Sequence, residues 1–85
     1  MSNALLDPSA LQWRCRRGML ELDLFLIPFG QNRYATLTLF EKKTFARLLE
    51  ENDVDLFKWL MGQTVCEDTE FRHIIPLIRE YRLKR

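Results

Sequence analysis

The chain has 85 residues, 47% of them hydrophobic and 29% charged, with thirteen basic residues against twelve acidic ones. A chain this short buries roughly 60–65% of its unfolded surface, so it has room for one modest core and not for two. The composition excludes a disordered chain, and three Gly and three Pro exclude a turn-rich β-sandwich or a low-complexity segment. A formal charge of +1 argues against a dedicated nucleic-acid binder, whose affinity comes from a large basic excess.

Cys15, Cys66 and the single His73 make three potential ligands where a structural zinc needs four. Two reduced thiols and no secretory leader pattern fit a cytoplasmic protein. The longest apolar stretch, Leu24 to Phe29, is far too short to span a bilayer, so no direct membrane insertion is expected.

In chain order, Asp7-Pro8 reads as a helix start, with Asp7 as cap and Pro8 at the first helical position. This helix carries Leu11, Trp13 and Cys15 and stops near Gly18, where the preceding arginines suit the negative end of the helix dipole. Next, Leu20, Leu22, Leu24 and Leu26 alternate with Glu21, Asp23 and Phe25, which is the period of a half-buried strand. A strand needs a partner, and nothing else in the chain alternates for long. As a helix, the segment puts Leu22, Phe25, Leu26 and Phe29 on one face and ends around Pro28 to Gly30.

Residues 31–37 connect to a capping box formed by Thr38 and Glu41. The helix that follows runs to about Asn52, with Leu37, Phe40, Phe45, Leu48 and Leu49 inward. Asn52-Asp53 caps a short fourth helix with Phe57, Leu60 and Met61 on one side and Gly62 closing it. Asp68-Thr69 opens a fifth, in which Phe71, Ile74, Ile75 and Ile78 fall at helical spacing. Pro76 removes the bond to the Arg72 carbonyl and should kink or delay that helix, and the basic tail from Arg79 to Arg85 should fray. Five short helices and no credible sheet predict an all-α fold, a compact single-domain five-helix bundle with its core over about residues 8–82.

Little in the chain points to catalysis. There is no G-x-S-x-G, no H-E-x-x-H and no G-x-G-x-x-G. His73 reads as a surface or half-buried helix residue, and Gly18, Gly30 and Gly62 are isolated. Neither an enzyme, nor a cofactor site of its own, nor a metal site is expected. The informative stretch runs from Trp13 to Asp23. Arg14, Arg16 and Arg17 lie within four residues, and Glu21 and Asp23 follow. The bland interpretation is a helix end, a glycine cap and the next helix start. The sharper one is a docking surface: Arg14 and Arg17 share a face, Met19 points outward at the turn, and Glu21 holds Arg17 in place by a charge-assisted bond. Asp53, Asp55 and Trp59 form a candidate second contact, against the alternative of Asp53 as a helix cap and Trp59 as core or rim. Nucleic-acid binding through Arg14, Arg16 and Arg17 is disfavoured by the near-neutral charge.

The segment Cys15 to Asp23 closely resembles the signature of the SdhE (YgfY-like) family, bacterial relatives of the mitochondrial succinate dehydrogenase assembly factor. Arg17, Gly18 and Glu21 match its R-G-x-x-E hallmark. Phe40-Glu41-Lys42, Phe45 and Leu48-Leu49-Glu50 are similar to the family's third helix, and Asn52 to Met61 to its D-x-D-L-F-x-W-L stretch. The similarity spans roughly residues 11–82. Leu20, where relatives often carry arginine, and Pro76 depart from the pattern. The resemblance implies a five-helix assembly chaperone that binds the flavoprotein subunit of succinate dehydrogenase, and often of fumarate reductase, and promotes covalent attachment of FAD to a histidine there. FAD would belong to the partner. Arg14, Arg16, Arg17, Gly18, Met19, Glu21, Asp23, Asp53, Asp55 and Trp59 would form the partner-binding face of a monomer. The alternative is an antitoxin-like regulatory module that binds a toxin or membrane partner.

Overall fold

The computed structural model describes residues 7–83. Five α-helices and one short 3-10 turn fill these residues, with no strand among them: α1 (Pro8–Cys15), α2 (Leu20–Asn32), the 3-10 turn Tyr34–Thr36, α3 (Leu39–Leu48), α4 (Asp53–Leu60) and α5 (Phe71–Leu83). α2 lies at the centre and packs against α1, α4 and α5, while α3 closes onto α5. The all-helical expectation therefore holds, and Leu20 to Leu26 form a helix despite their alternation.

α1 begins at Pro8, as the Asp-Pro pair predicts, but the Asp7 side chain makes no capping hydrogen bond. It ends at Cys15, before Gly18, because Arg16 already takes an extended conformation. Leu11 and Cys15 are buried one turn apart, whereas Trp13 is 76% exposed. α2 runs through Pro28 to Asn32 instead of stopping there. Proline inside a helix costs about 3 kcal/mol, but the residues beyond it compensate. Phe29 and Gly30 of the helix, and Tyr34 just after it, are buried, and a buried Phe alone stabilises by roughly 2–3 kcal/mol. Gly30 is no terminator. A Cβ there would stand 2.9 Å from the Cys15 Sγ, so glycine is what lets α1 and α2 approach.

α3 starts on the predicted capping box. The Glu41 N–H donates to Thr38 Oγ1 at 3.1 Å and the Thr38 N–H donates to Glu41 Oε1 at 2.9 Å. It stops at Leu48, short of Asn52, because Leu49 to Glu51 tighten into a turn and Asn52 is already the cap of α4. Phe40 is exposed rather than inward, and Thr44 takes the inward place with its hydroxyl bonded to the Phe40 carbonyl at 2.9 Å. α4 buries Leu56 and Leu60, with Phe57 half-buried; Met61, expected beside them, is exposed. Gly62, at φ +76°, ends the helix as predicted. The Gln63 N–H reaches the Lys58 carbonyl at 2.8 Å and the Gly62 N–H the Trp59 carbonyl at 3.2 Å, a Schellman cap.

The Asp68 carboxylate accepts from the N–H groups of Glu70 and Phe71 and so opens α5. Phe71, Ile74, Ile75 and Ile78 are buried as predicted. Pro76 sits inside α5 without breaking it, and residues 79–83 remain helical instead of fraying; the last two residues of the tail lie outside the described ones. The core joins Leu22, Leu26, Phe29, Phe45, Leu48, Leu56 and Ile78, all at most 1% exposed, with Phe29 and Phe45 rings 5.4 Å apart.

Candidate functional site

The corner between α1 and α2 is built around Arg17. Gly18, at φ +83°, turns the chain there, in a conformation that a residue with a Cβ rarely adopts. The turn throws the Arg17 side chain across to the junction of α3 and α4. Its Nε donates to Asp53 Oδ1 at 2.8 Å, Nη1 to the carbonyls of Leu49 at 2.7 Å and Arg14 at 3.1 Å, and Nη2 to the Glu51 carbonyl at 2.8 Å. The side chain is only 16% exposed. The Arg17 backbone N–H meanwhile donates to Asp23 Oδ1 at 2.8 Å, tying the corner to the first turn of α2. One guanidinium thus satisfies the carbonyls left over where α1 and α3 end, and its charge suits those helix ends.

This geometry corrects two expectations. Glu21 does not hold Arg17; it is exposed and makes no hydrogen bond or ion pair among the described residues. Asp53 and Asp23 do that work from two other places in the chain. Met19 does not project outward either: it is half-buried and packs on the core. The structure therefore brings together Arg17, Asp23 and Asp53, with Arg14 beside them at 3.9 Å from the Glu50 carboxylate. Arg16, Gly18 and Glu21 are left exposed at the same corner.

Asp55 and Trp59 lie further along α4. Asp55 accepts a hydrogen bond from the Asn52 side chain at 2.9 Å. Trp59 is half-buried with its ring 5.9 Å from that of Phe71, so it packs as rim.

Trp13 opens the informative stretch of the sequence but is not among the contact residues expected from it. With Ser9, Gln12 and Arg16 it lines a shallow cavity of about 540 Å³ on the outer face of α1. A signal for this exists in the spacing: two residues past Leu11 on a helix is about 200° around the axis, opposite the buried Leu11–Cys15 stripe. Tryptophan and arginine are both residue types enriched among those that dominate protein interfaces.

Elsewhere the titratable groups serve structure. Burial pushes the Cys15 thiol up to about 12, with the nearby Arg17 charge opposing it, and burial raises Cys66 as well. Both cysteines are free. His73 Nε2 lies 2.9 Å from Glu41 Oε2, linking α5 to the start of α3. No group of His, Cys, Asp and Glu among the described residues is arranged to hold a metal ion, and no helix there is long and apolar enough to cross a membrane.

A family profile described as flavinator of succinate dehydrogenase matches residues 9–82. The FAD assembly factor SdhE of Colwellia psychrerythraea is 49% identical over 72 residues, which cover 85% of this chain and 79% of that protein. That of Coxiella burnetii is 41% identical over 78 residues, 92% of this chain and 95% of the relative. A solution structure of a UPF0350 protein superposes with a TM-score of 0.75 at 38% identity, covering 99% of this chain and 88% of that one. Sequence and fold thus agree, and the chain belongs to the SdhE family of FAD assembly factors, the flavinators of succinate dehydrogenase.

Proposed function

We propose that the protein is an assembly chaperone for the flavoprotein subunit of succinate dehydrogenase, and serves the corresponding subunit of fumarate reductase in the same way. It acts in the cytoplasm as a monomer in a one-to-one complex. FAD and the acceptor histidine belong to the partner, and this chain contributes conformation rather than a reacting group. Holding the histidine in near-attack geometry against the flavin removes an orientational cost that a mobile domain would otherwise carry.

The observation that carries this function is the division of labour at the α1–α2 corner. Arg17 spends its hydrogen bonds inside the molecule, on Asp53 and three carbonyls. On either side of it along the chain, Trp13, Arg16, Gly18 and Glu21 are exposed. These residues meet the flavoprotein, with Arg14, Met19, Asp23 and Asp53 supporting them from behind. Asp55 and Trp59 extend the contact along α4.

The test is in-gel flavin fluorescence of the denatured flavoprotein subunit, co-expressed with and without this protein. Covalent flavin should rise with the wild-type chain and fall back by about tenfold or more with Trp13→Ala, the loss expected for an interface anchor worth about 2 kcal/mol. Full flavinylation by Trp13→Ala and by Glu21→Ala would remove this corner from the interface.

A further inference from the structure

We propose that the groove between α4 and α5, along the loop that joins them, binds an extended segment of the flavoprotein subunit that carries an acidic side chain, then an apolar one, then a basic one. This deepens the chaperone function proposed above and rests on it. Two hollows make the groove. The first, of about 260 Å³, has Trp59, Val65, Ile75 and Pro76 in its apolar lining, and Arg72 and Arg79 are its only charged residues among the described ones. The second, of about 390 Å³, is lined by Glu51, Asp55, Glu67 and Asp68, with no cation among the described residues that line it. The two share Trp59, Val65 and Cys66. The groove is therefore continuous, basic at one end, acidic at the other and apolar between, where Val65 is 78% exposed.

Both ends keep charges without partners. The side chains of Arg72 and Arg79 make no hydrogen bond or ion pair among the described residues, and neither do those of Glu51 and Glu67. Asp55 is tied to Asn52, and Asp68 to Arg47. Arg79 is nevertheless held in place. A Cβ on Gly62 would stand 2.9 Å from its Nη2, so the guanidinium lies over the bare closing turn of α4 with its N–H groups free. A planar, pre-positioned fork of this kind suits a carboxylate. The terminal residues do not alter this polarity. No charged side chain occurs in residues 1–6, and the basic Lys84 and Arg85 follow the far end of α5. That helix has 13 residues and so is about 20 Å long, and Asp68 stands before its start.

Shape and backbone point to an extended polypeptide as the occupant. The basic hollow is smaller than the roughly 300–1,000 Å³ of a small-molecule site, and it opens into its acidic neighbour instead of closing. Residues 65–67 belong to no helix, and their backbone N–H groups donate to nothing among the described residues. An extended segment laid along them gains main-chain hydrogen bonds, and its side chains supply the selectivity. Its acid meets Arg72 and Arg79, its apolar side chain packs on Trp59 and Val65, and its base meets Glu51 and Glu67. Trp59 is also the far end of the contact proposed along α4, so one continuous face carries the corner and the groove.

Titration calorimetry of the full chain with the purified flavoprotein subunit tests this. Arg79→Glu takes the formal charge from +1 to −1, and Glu67→Lys takes it from +1 to +3. Each should weaken binding by about three- to tenfold, because each reverses one end of the groove. Lys43→Glu, on the exposed face of α3, changes the formal charge as Arg79→Glu does and should bind like wild type. Circular dichroism checks that every variant is folded. An effect of overall charge alone would move Arg79→Glu and Glu67→Lys in opposite directions, and that result overturns the proposal. So does wild-type affinity in both variants. Hydrogen exchange locates the contact: the amides of residues 65–67 should exchange more slowly in the complex. Intact binding without that protection gives the groove to some other occupant and overturns the proposal as well. A wild-type chain that does not bind the flavoprotein at all removes the chaperone function together with the groove. Binding by wild type that the variants match removes the groove alone, so the two failures are distinguishable.

Discussion

Arg17 and Glu21 share a motif but sit in opposite physical situations. Arg17 donates to Asp53 and to the carbonyls of Arg14, Leu49 and Glu51. Removing it leaves those acceptors without partners in a half-buried place. Arg17→Ala should therefore destabilise the fold by about 2–4 kcal/mol, read as a lower urea midpoint. Arg17→Lys should recover little, since a compact ammonium cannot serve Asp53 and three carbonyls spread around a planar fork. Glu21 is exposed and makes no hydrogen bond or ion pair among the described residues, so Glu21→Ala should leave stability within about 0.5 kcal/mol while lowering covalent flavin in the partner. Loss of flavinylation in Arg17→Ala is thus a mixed result, and Glu21→Ala and Trp13→Ala are the cleaner probes. A folded, fully stable Arg17→Ala would contradict the hydrogen-bond network described here.

Two devices hold elements together. The first is the close approach of α1 and α2 over Gly30. A methyl there meets the Cys15 Sγ at 2.9 Å, and overpacking of this kind costs about 1–3 kcal/mol. Gly30→Ala should lower the thermal midpoint. Adding Cys15→Ala, which deletes the offending sulfur, should make the double variant more stable than the sum of the two single losses predicts; simple additivity would show that the contact is not the cause. The second is the junction of α3 and α5 at Glu41. A hydrogen bond from His73, followed by the Thr38 N–H, holds the Glu41 carboxyl below its ordinary range. Asp68 is lowered as well, chiefly by the Phe71 N–H and then by Arg47. For a carboxylate whose folded pKa is depressed, the stabilisation is full above its unfolded pKa and is lost as pH falls through the folded one. Glu41→Gln should therefore be less stable than wild type at neutral pH, and the gap should close by about pH 2. An unchanged gap across that range in chemical denaturation would rule out the ionic part of the junction.

At the scale of the whole molecule, both thiols belong to one cooperative core, since Cys15 packs against α2 and Cys66 is buried from within the α4–α5 loop, each at most 5% exposed. With Cys15 pushed up to about 12, a thiol reagent should label neither cysteine at neutral pH until the chain opens, and the rate should rise with urea in step with global unfolding. Rapid labelling in the native state would mean local opening at α1. Helix number, helix starts at Pro8, Thr38 and Asn52, the stop at Gly62 and the α5 stripe were legible in the chain because caps and 3.6-residue spacing are local signals. The family was legible for a similar reason, as Arg17, Gly18, Glu21 and the Asp53–Met61 stretch stand in fixed sequence positions. Distance along the chain hid the rest. That Pro28 and Pro76 are tolerated depends on what the residues beyond them bury. That Arg17 pairs with Asp53, 36 positions away, and not with nearby Glu21 depends on where the α3–α4 junction comes to rest. Sequence alone thus determined the helices and the identity of the corner. Only the tertiary structure decided which of its side chains bind the fold together and which face outward, because exposure is a property of what packs on a residue and not of the residue.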